Sequence, residues 1–188
     1  MDIKKPSGLL EWIRIYRLYQ AAFPATEKKP FSMIRAMYNK GKSDVWYCVE
    51  NGKFAGLVIT INGPEQILLD YLAVAKNRRG QGIGSQMLKK MREQYNGKGV
   101  FLEIEIVDKA AENFEERKRR KQFYLKNGMT PMNVVLELFG VDMELLGFDC
   151  SLTFEEYHDF YWDNYNAWAA EYVKRGKNET INHRLRTF

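Results

Sequence analysis

The stretch from Ile67 to Met91 constrains this chain more than any other, because a strand, a tight turn and a helix follow one another in it without a gap. Ile67 to Val74 is a bounded apolar run of strand length, with turn-forming residues on both flanks. Ala75 to Ser85 is basic and rich in glycine: Arg78 and Arg79 are adjacent, and Gly80, Gly82 and Gly84 alternate. Ile83, Met87, Leu88, Met91 and Tyr95 then recur at the spacing that lines one face of a helix.

A glycine-rich turn that opens a helix gathers several backbone N–H groups around one point, where the helix dipole adds positive potential. Without a Cβ, glycine lets the main chain approach a bulky anion such as a pyrophosphate. Spacing excludes two nucleotide motifs. A P-loop ends in Gly-Lys-Ser/Thr, and no lysine follows Gly84. A dinucleotide fingerprint needs a third glycine where Met87 stands. What remains is R-x-x-G-x-G, written here Arg79-Gly80-Gln81-Gly82-Ile83-Gly84.

The elements around this stretch read as an alternation. Leu9 to Phe23 has helical periodicity and stops at Pro24. A loop framed by Pro24 and Pro30 contains Glu27, read as a solvated residue, and Ser32 is placed as the N-cap of a second helix reaching Tyr38. Val45 to Glu50 and Phe54 to Ile61 form a hairpin around Asn51-Gly52, a type I′ signal. After the glycine-rich helix, Gly97 ends that element and Val100 to Ile106 is a strand. A strand–helix–strand crossover makes it parallel to Ile67–Val74. Asp108 to Asn127 reads as a helix closed by Gly128. Met132 to Phe139 and Val141 to Phe148 make a second hairpin about Gly140. Thr153-Phe154-Glu155-Glu156 is a capping box opening a last helix. Its stripe of Phe154, Tyr157, Tyr161, Tyr165, Trp168 and Tyr172 suits core or a dimer interface. The expected fold class is α/β (α+β): a mixed, mostly antiparallel sheet with helices on both faces.

The R-x-x-G-x-G turn between such a strand and helix resembles the signature of the GNAT family, the Gcn5-related N-acyltransferases. Arg120 to Met129, with Phe123-Tyr124 and Gly128, resembles that family's "Phe-Tyr, three residues, Gly-Phe" ending, Met129 replacing the usual phenylalanine. The element order fits over roughly residues 8 to 163, so the acyltransferase domain is taken as 1–163. Residues 164–188 are then a C-terminal helix extension and polar tail. The resemblance implies a GNAT fold with a splayed parallel central strand pair. It implies acetyl-CoA as co-substrate, acetyl transfer to a primary amine in a ternary complex, and no metal. Leu72, Ala73 and Val74 would pair with pantetheine, and Arg79, Gly80, Gln81, Gly82, Ile83, Gly84 and Ser85 would hold the pyrophosphate. Tyr124 would be the general acid that protonates the departing thiolate.

For the general base the sequence offers Asp70, Glu103 and Glu105 on the two central strands, with Glu103 preferred; the bland reading leaves all of them at strand ends in solvent. Many GNAT members carry asparagine where this chain has Arg117. Arg117, Arg119 and Arg120 therefore suit either a cofactor phosphate or a solvated basic face. That departure, with Met129, keeps open a second reading: a GNAT-fold CoA-binding sensor or scaffold with little or no transfer activity.

Composition bounds the rest. At 188 residues, 45% hydrophobic and 28% charged, the chain is expected to be one soluble domain. A formal charge of +5 permits an anionic partner, but no nucleic-acid reading module accompanies the basic run. No membrane span or signal peptide is expected. Cys48 and Cys150, read as reduced structural thiols, point to the cytoplasm. His158 and His183 are too isolated for a metal or a triad, and the sequon at Asn178 to Thr180 is read as chance.

Overall fold

A computed structural model describes residues 1–176, which form two compact units, Met1–Gly97 and the chain from Lys98 onward. The sequon, His183 and the polar tail lie outside the described residues.

The first unit contains β1 (Asp2–Lys4), α1 (Leu9–Ala22), α2 (Phe31–Asn39), β2 (Ser43–Glu50), β3 (Lys53–Asn62), β4 (Gln66–Val74) and α3 (Ile83–Gln94). Its strands lie in the order β1-β2-β3-β4, each antiparallel to the next. Asn51 and Gly52 both adopt positive φ, the I′ geometry that matches strand twist. Ile15 and Tyr19 of α1 and Ile34 of α2 bury against Val45, Leu57, Ile59, Tyr71 and Ala73. Along α3 the buried stripe is Ile83, Met87, Leu88 and Met91. Gly56 is a glycine for steric reasons: a Cβ there would lie 2.6 Å from the Ala73 carbonyl oxygen and 2.9 Å from the Met87 side chain.

One irregularity matters for the site. Ile59 pairs with Tyr71 while Thr60 pairs with Leu69, so Asp70 is the extra residue of a β-bulge. The three-residue strand β1 was not anticipated. Nor is Ser32 an N-cap: α2 already starts at Phe31, and the Pro30 carbonyl receives the Met33 amide at 2.9 Å. Proline's fixed φ begins the helix there.

The second unit contains β5 (Gly99–Glu105), α4 (Phe114–Lys126), β6 (Thr130–Leu138), β7 (Val141–Phe148), α5 (Phe154–Asn164), α6 (Ala167–Ala170) and β8 (Val173–Arg175), with strand order β5-β7-β6-β8. Its pairs β5–β7, β6–β7 and β6–β8 are antiparallel. Phe101 of β5 packs edge-on against Tyr157 and Phe160 of α5. The capping box forms as read: Thr153 and Glu156 exchange side-chain and backbone hydrogen bonds.

Two expectations fail here. The helix read from Asp108 begins only at Phe114. Asp108 accepts the Ala110 amide at 2.9 Å through its own side chain, an Asx-type bond that competes with helix. The last helix also breaks. Asn166 caps a separate α6 by accepting the Ala169 amide at 2.8 Å. The aromatic stripe therefore divides, with Tyr157 and Tyr161 buried on α5 and Trp168 and Tyr172 exposed beyond the break. Among the described residues, each unit has a four-stranded antiparallel sheet accompanied by helices, the mostly antiparallel α/β class expected.

Candidate active site

In the first unit, register with β3 fixes the end of β4: Leu72 faces Val58, Ala73 faces Leu57 and Val74 faces Gly56. The chain then turns through a 3₁₀ segment, Lys76–Arg78, anchored where Arg78 Nη2 donates to the Glu50 carbonyl at 3.0 Å. Arg79 Nε donates back to the Val74 carbonyl at 3.3 Å. Gly80 and Gly82 have φ of 76° and 74°, and a Cβ on either would meet open space. Their backbone conformation, not crowding, demands glycine.

Gly82 is the N-cap of α3 and offers no side chain to the helix start. The first helical hydrogen bond runs from the Gln86 amide to the Gly82 carbonyl. Among the described residues, no backbone acceptor receives the amides of Gly80, Gln81, Gly82, Ile83, Gly84 or Ser85. The first turn of α3 carries no acidic residue. N–H groups without a backbone acceptor, the positive end of a twelve-residue helix and the nearby charges of Lys76, Arg78 and Arg79 are the chemistry that suits an anion.

Before that cradle, the bulge lets two successive β4 residues serve one loop. Tyr71 Oη donates to the Glu27 carbonyl at 2.8 Å and accepts the Lys29 amide at 3.2 Å. Lys29 Nζ lies 2.6 Å from Asp70 Oδ1, in a pair whose side chains are 24% and 6% exposed. Asp70 is thus neither solvated nor at a strand end. Burial pushes the Tyr71 phenol far above its ordinary range, with the Asp70 charge adding to it. Lys29 carried no local signal. A buried carboxylate on β4 still required a cation somewhere.

In the second unit, Glu103 Oε1 accepts hydrogen bonds from Tyr157 Oη at 2.6 Å and Tyr161 Oη at 2.9 Å. Burial, then the Glu103 charge, raises the Tyr157 phenol well above its usual value. Glu105, on the same face of β5, pairs with Arg117 at 2.7 Å and Arg120 at 3.5 Å. Arg117 also donates to Asn113 Oδ1 at 2.7 Å and to the Ile106 carbonyl at 3.1 Å. Lys121 pairs with Glu144 at 2.7 Å. Arg117, Arg120 and Lys121 are therefore engaged by the unit's own carboxylates, while Arg119 is exposed, as the solvated-face reading expects.

Tyr124 sits one turn beyond Arg120, partly buried, its ring 5.2 Å from that of Phe123. No hydrogen-bond partner meets its hydroxyl among the described residues. Burial raises its pKa and the Arg120 charge partly offsets this, so the phenol keeps its proton at neutral pH. Met129, buried, fills the position after Gly128, whose φ is 90°. Cys48 and Cys150 are not in disulfides, and burial pushes their thiols up to about 12 and about 11. Among the described residues, no group of three or more His, Cys, Asp or Glu could hold a metal ion, and no helix is long and apolar enough to cross a membrane.

The family model described as "Acetyltransferase (GNAT) domain" matches residues 41–130, which include β4, the glycine-rich turn, α3 and the Phe-Tyr…Gly ending of α4. Over those residues the chain is similar to a GNAT acetyltransferase domain. YjbC of Bacillus subtilis (strain 168), named as an acetyltransferase, is 32% identical over 109 residues, which are 58% of this chain and 53% of that protein. The chain thus spans about half the length of the curated relative it matches. Among solved structures, a protein of Bacteroides thetaiotaomicron named as a GNAT-family acetyltransferase matches 90% of this chain and 99% of its own. Its TM-score is 0.74 at 16% identity. An aminoglycoside 6′-N-acetyltransferase solved with coenzyme A matches 79% of this chain and 96% of its own, with a TM-score of 0.61 at 16% identity. At these identities the structures establish a shared GNAT fold.

Proposed function

We propose that this GNAT chain transfers an acetyl group from acetyl-CoA to a primary amine by direct attack, with residues 1–163 as the acyltransferase domain. The observation that carries the reading is the row of unpartnered amides from Gly80 to Ser85 at the N-terminus of α3. Their chemistry fits a pyrophosphate. Gly80 and Gly82 hold positive φ, and the open space where a Cβ would stand leaves room for the anion. Leu72, Ala73 and Val74 would hold pantetheine by strand-like main-chain pairing. Bound there, the donor supplies a thioester carbonyl.

The residues of this chain supply the rest. The acceptor nitrogen loses a proton and bonds to the carbonyl carbon; the C–S bond then breaks and the thiolate takes a proton. Tyr124 is the proposed general acid, its hydroxyl still protonated and committed to no protein acceptor. A phenol of pKa about 10 or above donates uphill to a thiolate whose acid has pKa about 8.5, so the transfer needs the two positioned together. Glu103 is the proposed base. Two phenols fix one of its oxygens, and the amine's proton would reach the carboxylate directly or through water.

The engagement of Arg117 by Glu105 favours one alternative, a CoA-binding sensor, because the side chain replacing the family's asparagine is turned to a structural ion pair. Incubation with acetyl-CoA and a panel of amines, read by mass spectrometry, separates the two. Transfer is expected to give an acetylated amine and free CoA in equal amounts, with Glu103→Gln slowing turnover. Acetyl-CoA that binds and is never consumed would replace transfer with the sensor reading.

A further inference from the structure

Asp70 is a buried carboxylate with only half of its oxygens accounted for. Oδ1 receives Lys29 Nζ at 2.6 Å, while Oδ2 is buried with no hydrogen-bond partner among the described residues. A buried charged acceptor left without a donor is costly, and folded proteins rarely keep one without a use. The surroundings are built around it. The bulge in β4 turns Asp70 and Tyr71 toward the same loop. Tyr71 grips that loop at Glu27 and Lys29, and Tyr19 Oη donates to the Lys29 carbonyl at 3.0 Å. The backbone of residue 29 is therefore held from both sides. Its side chain is the more exposed member of the pair and lies over Asp70 as its cover.

The group that covers Asp70 is itself a primary alkylammonium. We infer that the Asp70 carboxylate is the docking point for the acceptor's ammonium, and that Lys29 occupies it as an intramolecular stand-in. Exchange of one ammonium for another leaves the charge in the bulge unchanged, releases Lys29 to water and lets a second N–H of the incoming group reach Oδ2. The position suits the chemistry, since Asp70 lies two residues before Leu72 on the strand proposed to hold the thioester arm. This inference rests on the proposed transfer reaction and names where its amine binds. It also restricts the acceptor to an amine that is charged when it arrives, on an alkyl stem slim enough to replace a lysine side chain.

Calorimetric titration with n-butylammonium chloride, against sodium chloride as the control, tests the exchange on protein saturated with CoA. Lys29→Met keeps the stem and removes the resident cation, so n-butylammonium is expected to bind about tenfold tighter than to the wild type, because the closed state no longer lowers the apparent affinity. Asp70→Asn should bind it at least about tenfold more weakly, the loss expected when a charged acceptor is neutralised. Lys29→Arg, with a bulkier resident cation, should resemble the wild type or bind more weakly. Each variant's CoA affinity reports that its fold is intact. The inference is overturned if Lys29→Met and Asp70→Asn shift affinity in the same direction, or if neither shifts it, while CoA still binds. Loss of CoA binding by the wild type itself would strike the transfer reaction instead.

Discussion

Tyr157 Oη donates a 2.6 Å hydrogen bond to Glu103 Oε1, and the two residues are 54 positions apart in sequence. Tyr161 adds its hydroxyl to the same oxygen from the next turn of α5. A carboxylate on β5 is thereby bound from α5, which follows it after α4 and the β6–β7 hairpin. Removing one donor should leave the other and cost about 1–2 kcal/mol, within the usual range for an interrupted bond to a buried charged group. Tyr157→Phe and Tyr161→Phe are each expected to lower stability by that amount in urea titrations. The double variant should cost more than either single one, because both phenolic donors are then gone.

Tyr124 should behave in the opposite way. Its hydroxyl meets no protein acceptor, so Tyr124→Phe is expected to leave the unfolding midpoint nearly unchanged. If it is the acid, kcat should fall by about 100-fold, the lower range for a positioned proton donor. KM for acetyl-CoA should stay within a few-fold. Stopped assays at saturating donor measure both.

The buried phenols set an alkaline limit. Tyr19, Tyr71, Tyr95, Tyr124 and Tyr157 are all raised, chiefly by burial. A folded pKa above the unfolded value of about 10 means that the unfolded chain releases these protons first. Their contribution is fully present below pH about 10 and is lost as pH climbs from there through the folded values. Urea midpoints measured from pH 8 to 11.5 should begin to fall near pH 10, and Tyr157→Phe should make that fall shallower.

Gly56 has no room for a methyl group. Gly56→Ala drives a Cβ against the Ala73 carbonyl, which is backbone and cannot swing aside. A loss of about 2 kcal/mol is expected, the ordinary cost of overpacking, together with weaker acetyl-CoA binding through the displaced end of β4. Met87→Ala should restore little of it, since the carbonyl remains.

Local chemistry explains what could be read from sequence. Asn51-Gly52 fixed one hairpin, the Thr153–Glu156 box one helix start, and Gly80 and Gly82 a turn of positive φ. Each of those signals acts within four residues of itself. The α4 boundary was misplaced because Asp108 bonds its own backbone two residues on, an option that charge and periodicity do not reveal. The aromatic repeat carried the last helix past Asn164, since periodicity continues where the backbone does not. The pairs Lys29–Asp70 and Tyr157–Glu103 join residues 41 and 54 apart, so only the assembled sheet reveals them. The signature of the proposed donor site is local, and that of the proposed acceptor site is not.

The most direct test of the account is calorimetric titration of acetyl-CoA into the wild-type protein and Gly82→Val. Gly82 holds φ of 74° in open space, so valine should strain the turn by about 1–2 kcal/mol and misdirect the amides of the α3 N-terminus without a clash elsewhere. One-to-one saturable binding by the wild type, weakened at least about tenfold in a Gly82→Val protein that still unfolds cooperatively, is the result predicted for amides that hold a pyrophosphate. No binding by the wild type, or equal binding by both proteins, would contradict it.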